Sequence, residues 1–209
     1  MRPYTVIFST ETVDGRIASR TGYSKLSCPE DLRLLHELRA LSDAVMVGAN
    51  TVLVDNPSLT TRLVPGRSPR YRVVVDANLR VPPAARIFDT PGRGVLVTLE
   101  WSDERLRGYI EKGVIVIRAG REKLDFRRAF GELYNLGVRR LLVEGGGMLN
   151  CSLLAEGLVD ELRVTIAPYV FGSGTSLASC DAFDGERSRV ELALREYYEV
   201  CPGWVHLVY

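Results

Sequence analysis

Residues 139–157 read RRLLVEGGGMLNCSLLAEG, and the fold follows from how this stretch divides. The start, RRLLV, is a short run with the pattern of a buried strand. The end, MLNCSLLAEG, reads as a helix. Between them Glu144-Gly145-Gly146-Gly147 makes a glycine corner from strand to helix. Ligands in open α/β sheets bind beyond the carboxyl ends of strands. Glycines there let the backbone approach a ligand closely. A helix N-terminus adds unpaired N–H groups and positive potential, which suit a pyrophosphate. An ordinary tight turn explains the same residues. The spacing matches neither G-x-G-x-x-G nor a Walker A loop. Glu144, at the strand end, can accept two N–H bonds from a heterocycle or can simply complement the helix dipole.

Working outward, residues 3–9 read as a strand and VDG at 13–15 as a turn. Ser27 and Glu30 form a capping-box pattern opening a helix, along which Leu32, Leu35, Leu38 and Leu41 recur at helical spacing. AVMVG at 44–48 reads as a buried strand followed by a short helix, and residues 56–70 as a loop. Strands follow at 71–76, 94–99 and 114–118, with a charged helix between the last two. A further helix spans 125–136 and stops at Gly137. After residue 157 the pattern changes: DELRVTIAPYV, RVELALREYYEV and GWVHLVY are strand-like without a clear intervening helix. Alternating β and α units that end in hairpins predict a mainly parallel sheet with antiparallel C-terminal strands, in one domain over 1–209.

Composition narrows the function. The chain has 209 residues, 46% hydrophobic and 25% charged, with a formal net charge of +1. That is enough apolar content for a core, and the near-neutral balance gives no electrostatic footprint for nucleic acid. No run of about 18 apolar residues predicts a membrane span, and the N-terminus does not read as a signal peptide. The expectation is a cytosolic protein in which Cys28, Cys151, Cys180 and Cys201 stay as thiols. With only His36 and His206, and no close His/Cys cluster, no metal site is expected.

Three further segments carry polar groups at element ends. In GANTVLVDNPSLTTR (48–62), Thr51 and Asp55 lie four apart and share a helix face, suited to a ribose, an amide or a phosphate. Capping and turn formation are the competing reading. Arg39 and Arg62 are single arginines that could clamp a phosphate or lie solvated. VVVDANLR (73–80) places Asp76, Ala77, Asn78 and Arg80 after a strand, near where an adenosine ribose would lie, or forms a polar loop.

In order, VDGRIA, TGYSKLS, LRALSDAVMVGANTVLVDNPSLTTR, RVVVDANLRVP, LLVEGGGMLN and GLVDELRVTIAPYVFGSG resemble the pyrimidine reductases of riboflavin biosynthesis, over most of residues 4–176. The resemblance implies a dihydrofolate-reductase-like mixed sheet, a homodimer and NADPH as cofactor, with NADH as the alternative. The implied substrate is an amino- or diaminopyrimidinone ribosylamino 5′-phosphate, reduced to the ribityl form. It further implies cofactor contacts at Thr10, Thr51, Asp55, Ala77, Asn78, Leu79, Arg80, Gly145, Gly146, Gly147 and Met148. Substrate contacts would fall to Ser24, Arg39, Leu59, Arg62 and Glu144. Glu11-Thr12 replaces the Met-Ser or Met-Thr frequent in the family, and Leu26 stands where bacterial relatives often carry Trp. The chain lacks the H-x-E and P-C-x-x-C signatures of the deaminase, so a stand-alone reductase acting before deamination is expected. Asp14, Glu11 or water are the candidates for proton donor. Reduction of the deaminated pyrimidine, of a dihydrofolate or pterin, and a non-catalytic nucleotide-binding dimer are the competing functions.

Overall fold

A computed structural model describes every residue except Asp184 and Arg187. The first half runs β1 (Tyr4–Thr12), β2 (Arg16–Ser19), α1 (Pro29–Ala40), β3 (Ala44–Gly48), α2 (Ala49–Asp55), β4 (Tyr71–Val75) and β5 (Arg93–Thr98). Then come α3 (Asp103–Glu111), β6 (Ile115–Arg118), α4 (Phe126–Asn135), β7 (Arg140–Val143) and α5 (Gly147–Ala155). The chain closes with β8 (Glu161–Ala167), β9 (Gly174–Ser176), β10 (Glu196–Cys201) and β11 (Trp204–Val208). Among the described residues nine strands form one sheet, in the order β10-β11-β8-β1-β7-β3-β4-β5-β6. Strands from β8 through β1, β7, β3, β4 and β5 to β6 pair in parallel, while β11 and β10 pair antiparallel.

Apolar side chains alternate along the central strands because both faces are covered. Met46, Val73, Val95 and Leu141 face a core closed by Phe130 and Leu133 of α4 and Leu153 of α5. Val45, Val74, Leu96 and Leu142 face a second core with Leu38 of α1, Val52 of α2 and Leu106 of α3. No helix among the described residues is long and apolar enough to cross a membrane.

Several expectations change in the folded chain. The capping box does not form: Pro29 takes the first helical position, Cys28 becomes the N-cap, and no side chain caps it. The Ser27 hydroxyl instead meets Thr10 Oγ1 at 2.9 Å. Only part of the leucine stripe is inside: Leu38 is buried and Leu35 packs on the same core, whereas Leu32 and the C-cap Leu41 are exposed, and Asp31, His36 and Arg39 share the buried face. The strand expected from residue 189 begins only at Glu196. A two-stranded ribbon of β2 and β9, too short for periodicity to detect, was not anticipated. The cysteines are not thiols: Cys28 pairs with Cys201 and Cys151 with Cys180, at Cα separations of 6.8 and 6.0 Å. Chain folding brings together residues 173 and 29 positions apart, which spacing cannot reveal. Cys28 and Cys201 also lie in one group with Glu30, but their mutual bond leaves no thiolate there to bind a metal.

The Cys28–Cys201 bridge ties the start of α1 to the end of β10. Opening either bridge is expected to cost about 2–4 kcal/mol of stability. Urea midpoints with and without dithiothreitol measure this. Four thiols titrating in the unreduced, denatured protein would refute both pairings.

Candidate functional site

The chain leaves β1, passes outward through β3, β4, β5 and β6, and returns to place β7 between β1 and β3. This reversal makes a topological switch point at the carboxyl ends of β1, β7 and β3, the position at which open α/β sheets bind ligands in a crevice. Glu144 and the glycine corner lie at its centre. The corner is tied to β3 by Glu144 N–H to the Met46 carbonyl at 3.0 Å and by Gly48 N–H to the Gly145 carbonyl at 3.2 Å.

The three glycines serve two purposes. Gly145 and Gly146 have φ of +109° and +102°, a region that disfavours side chains. Gly147 is needed for close approach, because a Cβ there would lie 2.5 Å from the Ser176 carbonyl oxygen of β9. Space around Gly145 is open, with nothing within 4 Å of where its Cβ would stand. The first bond of α5 runs from Asn150 N–H to the Gly146 carbonyl at 3.0 Å, and no side chain caps the helix. The N–H groups of Gly147, Met148 and Leu149 therefore precede the helical ladder. The open space at Gly145 beside an uncapped helix start fits a diphosphate.

The other cofactor candidates lie along the same edge. Thr51 Oγ1 stands 3.5 Å from where a Gly146 Cβ would be, and Asp55 ends the same short helix, exposed. The loop carrying Ala77, Asn78, Leu79 and Arg80 is shaped by Asp76. This carboxylate is buried and accepts N–H bonds from Asn78 at 3.2 Å and Val81 at 2.7 Å. Leu79 adopts φ +55°, and Arg80 donates to Asn50 Oδ1 at 3.0 Å, joining the loop to α2. Thr10 lies at the end of β1.

On the other side of the crevice, α1 supplies charge. Arg39 donates from Nε and Nη2 to the two Glu144 oxygens at 2.6 and 2.5 Å, and from Nη1 to the Thr60 carbonyl at 3.0 Å. Both side chains are 9% exposed, so this is a buried fork. Each Glu144 oxygen keeps a second lone pair for another donor. Arg62 is exposed and rests on the Ser58 and Thr60 hydroxyls at 2.7 and 3.0 Å. Leu59 is buried with φ +50°, and Ser24 is exposed in the segment before α1.

His36 was not singled out from sequence. Its Nδ1 accepts the Arg62 N–H at 2.9 Å, so the neutral ring carries its proton on Nε2. Burial first, then the charges of Arg39 and Arg62, holds His36 down to about 4. Two proposed proton donors also change standing. The Thr12 hydroxyl and the Phe171 and Gly172 N–H groups bond Asp14 and hold its carboxyl below the usual range, so it is a poor acid. Burial pushes the Glu11 carboxyl up. Leu26 is buried, its carbonyl accepting from Trp204 Nε1 at 2.9 Å, and it offers no stacking surface.

This fold defines the class: a dihydrofolate-reductase-like protein. Dihydrofolate reductase of Enterococcus faecalis, complexed with NADP(H), superposes with a TM-score of 0.52 at 14% identity, over 98% of this chain and 94% of that one. Acinetobacter baumannii RibD superposes with a TM-score of 0.83 at 23% identity, over 99% of this chain and 57% of that one. The RibD C-terminal domain family matches residues 3–206. The 2,5-diamino-6-ribosylamino-4(3H)-pyrimidinone 5′-phosphate reductase of Methanothermobacter thermautotrophicus is 40% identical over 203 residues, 95% of this chain and 94% of that protein. The chain belongs to the RibD C-terminal domain family, and with it to the reductases of riboflavin biosynthesis.

Arg39→Met strands Glu144 as a buried charge and is expected to cost about 3–5 kcal/mol. Adding Glu144→Met should recover most of it; urea denaturation of both variants checks this. Acid should also destabilise the fold. The unfolded His36 titrates near its ordinary 6.5 and the folded ring near 4, so the unfolded state binds more protons between those values. Stability is then lost as pH falls through that window, by at most about 1.4 kcal/mol per pH unit for this residue. His36→Gln should flatten the fall in urea midpoint between pH 7 and pH 5.

Proposed function

We propose that this protein reduces the ribosylamino group of 2,5-diamino-6-ribosylamino-4(3H)-pyrimidinone 5′-phosphate to its ribityl form with NADPH, as a homodimer. The observation that carries the reading is the carboxylate of Glu144, held by two Arg39 N–H bonds beside the open space at Gly145. A carboxylate aimed in this way accepts N–H bonds from an aminopyrimidinone with its remaining lone pairs. Arg39 works through Glu144 and the Thr60 carbonyl, and Arg62 is the exposed guanidinium that meets the 5′-phosphate. Ser24 and Leu59 complete the substrate side.

The cofactor side runs from Thr10 to Thr51 and Asp55, to the loop 77–80 and to Met148. The uncapped start of α5, with Gly145, Gly146 and Gly147, takes the diphosphate, and Arg80 takes the 2′-phosphate that separates NADPH from NADH. When bound, the reduced nicotinamide supplies a hydride. The chain's own part is to align two reactants and keep water out, with phosphate binding remote from the reacting carbon helping to fix the geometry. The relative that matches along nearly its whole length bears the name of the non-deaminated substrate, which favours that form.

The test incubates the protein with NADPH or NADH and with the diamino or the deaminated pyrimidine phosphate. Loss of absorbance at the reduced-nicotinamide band is followed together with product mass. The diamino substrate with NADPH should give a product two mass units heavier. No consumption with either pyrimidine overturns the reading. Glu144→Gln should raise KM for the pyrimidine and slow turnover by about tenfold or more, the scale of one charged hydrogen bond lost.

A further inference from the structure

Reaching inward from Thr10, one buried polar cluster is made of residues the site described above does not use. Four adjacent strands place Thr10, Thr165, His206 and Tyr198 in register: Thr10 opposite Thr165, Thr165 opposite His206, His206 opposite Tyr198. Asp31 of α1 lies over this row with no exposed surface. Its two oxygens accept from Thr10 Oγ1 at 2.7 Å and from Thr165 Oγ1 at 2.5 Å. Thr165 Oγ1 in turn lies 2.7 Å from His206 Nδ1. No cation pairs with Asp31 in these contacts, although burying a lone carboxylate is costly.

The hydrogen count allows two arrangements. With Asp31 ionised, the Thr165 hydroxyl donates to it, so His206 must donate from Nδ1. With a proton taken from Thr10, the Asp31 oxygen facing Thr10 carries it and donates back, while the other oxygen still accepts from Thr165 and His206 still donates from Nδ1. Nε2 has no partner among the described residues, so neither arrangement breaks a bond there. Asp31 can therefore take up and return one proton with only its bond to Thr10 changing direction. The open end of the row is Thr10, half-buried at the end of β1 and also 2.9 Å from Ser27 Oγ. On the sheet, Thr10 shares a face with Phe8 and with Leu142 and Glu144, the same side on which α1 packs. Asp31 and Arg39 are eight residues apart on α1, about 12 Å along its axis. The helix thus reaches both the Glu144 end and the Thr10 end of the crevice.

We infer that Asp31 is a positioning residue that shuttles a proton through the Thr10 hydroxyl during opening of the substrate's ribose ring. This rests on the reduction reading above. The substrate nitrogen gives its proton to Thr10 Oγ1 as Thr10 passes its own to Asp31. The nitrogen electrons form the C1′=N bond while the C1′–O4′ pair leaves on O4′. The proton then returns by the same route to O4′, making the hydroxyl. No net proton is consumed in opening, and the open form is the hydride acceptor. The one further proton of the reduction comes from solvent to nitrogen. Burial holds His206 down to about 4, so the ring is neutral near pH 7 and both arrangements stay available.

The experiment has two readouts, on wild type, Asp31→Asn and Thr165→Val. The first is kcat, KM and NADPH affinity. Asp31→Asn should lower kcat about 100-fold, the scale of one proton-transfer group, with KM and NADPH affinity within threefold. Thr165→Val should lower kcat about tenfold. The second needs no cofactor: exchange between the α and β anomers of the pyrimidine ribosylamine phosphate, followed at C1′ by NMR. Wild type should accelerate exchange at least tenfold over buffer, and Asp31→Asn should not. If Asp31→Asn fails to fold, Thr165→Val decides on both readouts. Wild-type reduction together with unchanged kcat and anomer exchange in the variants overturns the shuttle alone. Absence of any wild-type reduction removes the reductase reading, and the shuttle with it.

Discussion

Helix α1 is seated on the sheet by ionisable side chains, and the crevice depends on that constraint. A helix that buries Asp31, His36 and Arg39 must find each a partner, because an unpaired buried charge or donor is costly. Arg39 finds Glu144, His36 finds the backbone at Arg62 and Leu63, and Asp31 finds Thr10 and Thr165. These contacts reach β7, the 58–63 loop, β1 and β8. One helix therefore fixes the position of nearly every group on the substrate side. The Cys28–Cys201 bridge holds its first turn over the hairpin that carries His206.

The proposed cofactor side is organised by different means. Its surfaces are backbone, shaped by glycines and by inward-facing carboxylates. Asp76 and Asp14 both stand in motifs that look chemical, and both accept backbone N–H bonds instead. Their work is to fix loops. The glycine corner likewise divides its tasks: two residues supply a backbone conformation and the third admits the β9 carbonyl. The two sides of the crevice join at Glu144, which precedes Gly145 in sequence and contacts α1 in space. A single peptide unit thus links the grip on the pyrimidine to the seat of the diphosphate in the proposed function.

Polar groups with no exposed surface need an account when a sheet could have used apolar ones. Thr165, His206 and Asp31 have no exposed surface at all. Burying such groups is costly unless each is hydrogen-bonded. A row of such groups, satisfied except at His206 Nε2 and open at Thr10, makes sense as part of the reaction rather than of the core.

The sequence by itself determined the βα order, the parallel sheet with an antiparallel end, and the corner at 144–147. Each depends on local periodicity or on glycine, which short windows report. The cofactor candidates from Thr51 to Met148 follow strands β3, β4 and β7 in the chain, which is why local pattern could single them out as candidates. Tertiary structure alone decided which polar residues share the buried face of α1. The leucine spacing is right for Leu35 and Leu38, yet the buried face also takes Asp31, His36 and Arg39, and Leu32 and Leu41 are left exposed. It alone decided the disulfides, the Arg39–Glu144 fork across 105 residues and the Asp31–Thr165 bond across 134. Such contacts form between segments whose separation leaves no periodic trace, because only the closed sheet brings them within bonding distance.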